Sequence, residues 1–149
     1  MIFSLGESQH ERIEVDVLRY ERSPVGDYHD DNWLMAKVRI AAGAFAAPST
    51  PPFLEKNWLA FWIASEPLHQ SLRGTSQFTT LEEQLRMVLS GDGKGRIDLV
   101  GEVADQPGIG NRLHFALHFD QSQLAASIRD LESVISQFPV RTNHRKLPE

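Results

Sequence analysis

Leu113-His-Phe-Ala-Leu-His-Phe119, followed by Asp120-Gln-Ser-Gln-Leu-Ala-Ala-Ser-Ile-Arg-Asp-Leu-Glu-Ser-Val-Ile-Ser-Gln-Phe138 and Pro139, decides how this chain folds. In the first half Leu113, Phe115, Leu117 and Phe119 alternate with His114, Ala116 and His118. That period of two predicts a strand with one apolar face. In the second half Leu124, Ile128, Leu131, Ile135 and Phe138 recur at steps of three and four, which predicts a helix over about 121–138 with one apolar stripe. Asp120 suits the N-cap, with Gln123 three residues on as in a capping box. Pro139 disfavours a helical residue before it, so Phe138 closes the helix. A strand with one apolar face, followed by a helix with one apolar stripe, is expected to pack on itself.

Upstream, the alternation recurs. Arg96 to Ala104 alternates through Ile97, Leu99, Gly101 and Val103, and Gln106-Pro-Gly-Ile-Gly-Asn111 reads as the hairpin loop after it. Gln77 to Ser90 fits two patterns. Thr80-Leu-Glu-Glu83 has the form of a capping box, and Leu81, Leu85, Val88 and Leu89 suit a helix. Leu85, Met87 and Leu89 also alternate, and Gly91-Asp-Gly-Lys-Gly95 then forms a hairpin loop; the strand reading is taken. Before this segment, Leu54, Trp58, Phe61, Trp62 and Ser65 fall at helical spacing. Pro67 is expected to break or kink that helix, and Gly74 to serve as its C′ residue after Leu68 and Leu72. Phe53, Trp58, Phe61 and Trp62 read as core. Pro48-Ser-Thr-Pro-Pro52 separates this helix from a β-rich start.

That start reads as a strand at Ile2–Leu5, a turn at Gly6–Gln9, and a second strand at Arg12–Tyr20. Ile13, Val15 and Val17 alternate there before the phase shifts at Leu18 and Tyr20, as a bulge near Val17–Leu18 requires. Ser23 to Asp31 is a polar loop. Asn32 to Phe45 is a long strand, with Leu34, Ala36, Val38 and Ile40 on one face and a bend at Gly43. Thr142 to Glu149 has little apolar content and is expected to fray. The fold class is therefore α+β: a twisted antiparallel sheet, folded into two layers, with two helices packed on it. Residues 1–141 are expected to form one domain, which the chain length of 149 residues fits.

Composition narrows the function classes. With no cysteine there is no disulfide, thiolate ligand or thiol nucleophile. The segment Met1-Ile-Phe-Ser-Leu-Gly-Glu7 does not read as a signal peptide, and no apolar run reaches the roughly 18 residues of a membrane span; a cytoplasmic protein is expected. The net charge is −5. Met1 to Asp31 holds eight acidic residues (Glu7, Glu11, Glu14, Asp16, Glu21, Asp27, Asp30, Asp31) and three arginines, so 3 − 8 = −5 falls there, and the remaining twelve acids and twelve bases cancel. A direct nucleic-acid binder would carry the opposite sign.

Catalytic motifs do not assemble. His114 and His118 share a strand face, but four residues at ~3.3 Å each put them ~13 Å apart, too far for one metal. His29-Asp30 is a lone pair in a loop. Gly6-Glu-Ser-Gln-His10 lacks the second glycine of a nucleophile elbow and leads into a strand. Gly91–Gly95 and Gly108-Ile-Gly110 also lead into strands, whereas a phosphate loop opens a helix. No metal, cofactor or catalytic residue is expected.

A set of residues spread along the chain carries a resemblance: Asp31-Asn-Trp-Leu34 entering a long strand, Gly43-Ala-Phe45, Leu72-Arg-Gly74, Leu113-His-Phe115, Phe119-Asp-Gln-Ser122, Leu131, and Phe138-Pro-Val-Arg141. The pattern resembles the WapI-type immunity proteins of bacterial polymorphic-toxin systems. The resemblance implies a small cytoplasmic protein that binds and neutralises a cognate toxin domain, in some cases a nuclease, without catalysis. It carries over no catalytic residue, and Asn32, Trp33 and Asp120 read as fold-determining. The alternative is an orphan domain of the same fold, binding a small ligand or acting as an enzyme through a cleft beside the first helix. For the immunity reading, Glu14, Asp16, Asp27, Asp30 and Asp31 are the candidate partner-binding residues. Glu14 and Asp16 oppose the parity of Ile13, Val15 and Val17 and so should face solvent.

Overall fold

The computed structural model describes residues 1–49 and 52–141. The fraying expected at 142–149 lies outside them. Two antiparallel sheets stack around one apolar core, and each is followed by a 17-residue helix. The first sheet is β1 (Ile2–Ser8), β2 (Glu11–Tyr20), β3 (Trp33–Ala42), β4 (Phe45–Ser49) and β5 (Pro52–Leu54). β4 pairs with one end of β3 and β5 with the other, so the two share the fourth strand position. The second sheet is a meander, β6 (Arg73–Thr79), β7 (Leu85–Asp92), β8 (Arg96–Ala104) and β9 (Arg112–Asp120). Helix α1 (Tyr28–Asp31) is a single turn between β2 and β3; α2 (Glu55–Ser71) and α3 (Gln121–Gln137) follow the two sheets. The chain thus runs through four strand positions and a helix, twice, although no repeat is visible in the sequence.

Period-two alternation sets which face of each strand is inside. Ile13, Val15 and Val17, Leu34, Ala36, Val38 and Ile40, and Leu85, Met87, Leu89, Ile97, Leu99 and Leu117 are all buried. The bulge in β2 falls where the phase shift places it: the register slips between Val17 and Arg19. Leu18 is the extra residue and faces solvent, and Tyr20 is returned to the inner side, opposite Leu34.

Several local expectations are corrected. Gly6 is not in a turn; it is a left-handed residue (φ 106°) at an irregularity inside β1, where an added Cβ would lie 2.2 Å from the Glu11 carbonyl oxygen. The polar loop contains α1, so the described residues form three helices. Gly43 lies in a tight turn between two strands, because β3 ends at Ala42 and β4 begins at Phe45. The proline-rich separator supplies strand residues at Pro48 and Pro52. Pro67 does not interrupt α2. Trp58, Phe61, Ser65 and Leu68 form one buried stripe across it, and burying that stripe outweighs the roughly 3 kcal/mol an interior proline costs. The helix ends at Ser71 with Leu72 in the left-handed region (φ 59°), while Gly74 belongs to β6. β6 itself is a strand that the sequence reading misses over Arg73–Ser76.

Asp120 caps α3 as expected, its carboxylate accepting from Ser122 N at 2.8 Å and Gln123 N at 3.1 Å. The helix does not mainly fold back on its own strand, however. It packs chiefly on β1 and α2. Ser127 Oγ donates to the Ser4 carbonyl, and Leu124, Ile128 and Leu131 meet Phe3, Leu5 and Phe61 around a void of about 10 Å³. With no loop between β9 and α3, the stripe is set mainly against β1 of the other sheet and against α2, with a smaller contact to β9 and β8.

Candidate functional site

The five candidate carboxylates sit on one sheet and the loop beyond it, but in three different states. Glu14 and Asp16 are on the outer face of β2, with the parity expected. Glu14 receives Arg12 at 2.8 Å and Arg39 at 2.7 Å. Asp16 lies 3.2 Å from the Met1 ammonium. Asp27 and Asp30 are exposed in the loop. Asp27 caps α1, accepting from His29 N at 2.9 Å and Asp30 N at 3.0 Å, and Asp30 lies 3.3 Å from Arg22. Asp31 is only 3% exposed, and its carboxylate turns inward to accept Val25 N at 2.7 Å and Gly26 N at 2.8 Å. It shapes the loop and presents no charge to a partner. Surface ion pairs add little stability, about 0–1 kcal/mol each, but they cancel charge locally. The excess read from the sequence is therefore partly neutralised by Arg39 and the amino terminus, which sequence distance hides.

The loop is tied to the far end of the chain. Asn32, buried, donates from Nδ2 to the Tyr28 carbonyl (2.7 Å) and the Arg141 carbonyl (3.0 Å), and its Oδ1 accepts from Arg141 N (2.7 Å). The Arg141 guanidinium donates to the carbonyls of Arg22 (3.0 Å) and Asp31 (3.3 Å) and stacks 3.4 Å above the Tyr20 ring. Tyr20 in turn donates its hydroxyl to the Pro139 carbonyl and meets Phe138 edge-on at 5.6 Å. Asp31-Asn32 and Phe138–Arg141, two of the stretches that carried the resemblance, thus meet in space as a clasp. Sequence reasoning assigned Asn32 to the fold but had no signal for a partner 109 residues away.

The outer face of the second sheet carries two matching clusters. His118 Nδ1 lies 2.6 Å from Asp98 Oδ1, with Arg96 Nε on the same oxygen at 2.9 Å. His114 Nδ1 lies 3.2 Å from Glu102, which also receives Arg112. Between them stands Val100, 62% exposed. Both histidines face solvent, as the alternation predicts, and among the described residues no group of three or more His, Cys, Asp or Glu side chains is placed to hold a metal. Arg96, and after it His118, hold the Asp98 carboxyl below its ordinary value of 3.8. A depressed carboxylate stabilises the fold above its unfolded value and loses that contribution as pH falls through its folded one. Asp98→Asn is therefore expected to lower Tm slightly at neutral pH, with the gap to wild type closing in melts taken well below pH 3.8.

The family model described as the immunity protein WapI-like family matches residues 2–139. A search of curated proteins finds no match. Among solved structures, that of the plant transcriptional regulator PBF-2 superposes with a TM-score of 0.53 at 12% identity, covering 93% of this chain and 81% of that one. At that identity the likeness concerns the fold alone. No helix among the described residues is long and apolar enough to cross a membrane.

Proposed function

This chain belongs to the WapI-like immunity protein family, and from that membership we propose that it binds a cognate toxin domain in the cytoplasm and neutralises it by occlusion, without catalysis. The observation that carries the reading is the extent of the match, which takes in both sheets, both long helices and the start of the strap that closes the clasp. The partner we assign is a toxin domain with a cationic active surface, as a nuclease needs to hold a phosphate backbone. Of the acidic residues of the first sheet and its loop, Glu14 and Asp16 are already paired, and exposed Asp27 and Asp30 steer toward such a surface. Steering of this kind raises the association rate more than the final affinity.

The test is to look in the neighbouring gene for a secreted protein with a toxic C-terminal domain and to co-express this chain with that domain. Growth is expected to be rescued, and the association rate measured with purified proteins is expected to fall steeply as salt is raised. Continued growth arrest with both proteins produced and folded would sink the immunity reading. Association insensitive to salt would sink the cationic partner.

A further inference from the structure

The loop between β2 and β3 is built to be displayed. Ten consecutive residues, Glu21 to Asp30, are exposed and contribute nothing to the core. A segment with no core contacts is ordinarily left loose. Here its backbone is bonded at Arg22, Val25, Gly26, Tyr28 and Asp31, by the carboxylate of buried Asp31, the amide of buried Asn32 and the guanidinium of Arg141. Two buried polar side chains are thus committed to fixing a surface loop. Within it Val25 is 73% exposed, the highest value among the large apolar side chains described, and Tyr28, three residues on, is also exposed. The exposed charges within it are Glu21, Asp27 and Asp30 against Arg22, so 1 − 3 = −2, and the exposed Arg19 guanidinium bonded to the Glu21 carbonyl brings the local sum to −1.

Fixing a loop before binding removes the ordering cost that association otherwise carries. An apolar side chain at the centre of a polar rim is the anatomy of a binding hot spot. Resting on the immunity reading above, we infer that the clasped loop is the element that enters the toxin: Val25 seats in an apolar pocket, and the acidic rim meets lysine or arginine side chains around it. This narrows the contact from the whole acidic end of the sheet to one loop. Asp31 and Asn32 act as positioning residues behind it, and Glu14 and Asp16, already paired, do not touch the partner.

The experiment measures the Kd of the full chain for the toxin domain whose growth arrest it rescues in co-expression, with Val25→Lys, Asn32→Ala and, on the opposite sheet, Val100→Lys. Val25→Lys is expected to weaken binding at least about tenfold, because it removes the anchor and sets a cation among cations, with Tm unchanged. Val100→Lys, of similar exposure, is expected to stay within about twofold of wild type. Asn32→Ala is expected to weaken binding through a slower association, since loop ordering then precedes docking. Val25→Lys binding as tightly as wild type overturns the proposal even if Asn32→Ala fails to fold. An equal loss in Val100→Lys overturns it too, by moving the interface to the second sheet. A wild-type protein that neither binds nor rescues overturns the immunity reading itself, and the loop assignment with it.

Discussion

Trp58→Ala is expected to lower the unfolding free energy by about 3–5 kcal/mol, a large share of the roughly 5–15 kcal/mol that a domain of this size possesses. The indole is fully buried. It stacks on Phe78 at 4.4 Å with the rings 12° from parallel, and Phe3 meets it edge-on at 5.0 Å. Phe3 belongs to β1 and Phe78 to β6, so one side chain of α2 joins both sheets to the helix between them. Removing it leaves a cavity that no single element can close. Denaturant melts should show one cooperative transition moved to a lower midpoint. Trp62→Ala, at a partly buried site, should cost clearly less. Equal costs at the two positions, or a loss under about 1 kcal/mol at Trp58, would mean that the core is not joined there.

The second large effect concerns a residue that has no side chain. Gly101 on β8 faces Phe115 on β9, and a Cβ placed on it would lie 2.3 Å from the end of that ring. The ring covers the glycine because nothing else occupies the space. Gly101→Ala is expected to cost about 1–3 kcal/mol, since the ring must leave its rotamer or the strands must part. Phe115→Leu alone is also expected to destabilise. Together the two should cost less than their sum, because the smaller side chain vacates the space that alanine needs. Simple additivity in a double-mutant cycle would show that the clash is relieved elsewhere.

How legible this molecule was depended on the distance over which each decision was made. β7, β8, β9 and α3 could be read because each declares its buried face through its own period. The bulge at Val17–Leu18 could be read because a phase slip inside one strand is a local event. β6 could not: in Arg73–Thr79 only Ser76 and Phe78 are buried, and its strand character comes from β7 on one side and α2 on the other. The continuity of α2 through Pro67 is likewise a tertiary decision overriding a local preference. The charges near the amino terminus could be counted in the sequence, but their state could not. Glu14 answers to an arginine 25 residues away, and Asp31 faces inward because the loop backbone needs acceptors. Asp31 was therefore placed among the partner-binding residues by its charge, although its role is to hold the loop.

The clasp also sets an order in time. The sheets and helices are complete by Gln137, but the loop at 21–31 is joined to the far part of the chain only when Arg141 reaches Asn32, Arg22 and Asp31. During synthesis the chain emerges amino terminus first, and its early parts fold first. The loop thus leaves the ribosome well before the arginine that fastens it, and takes its final shape only after α3 has been added. A chain cut before Pro139 is expected to keep its strands and helices, while the loop loses the bonds that Arg141 makes to Arg22, Asp31 and Asn32. The shape of the loop is in this way made conditional on a residue translated 109 positions after Asn32.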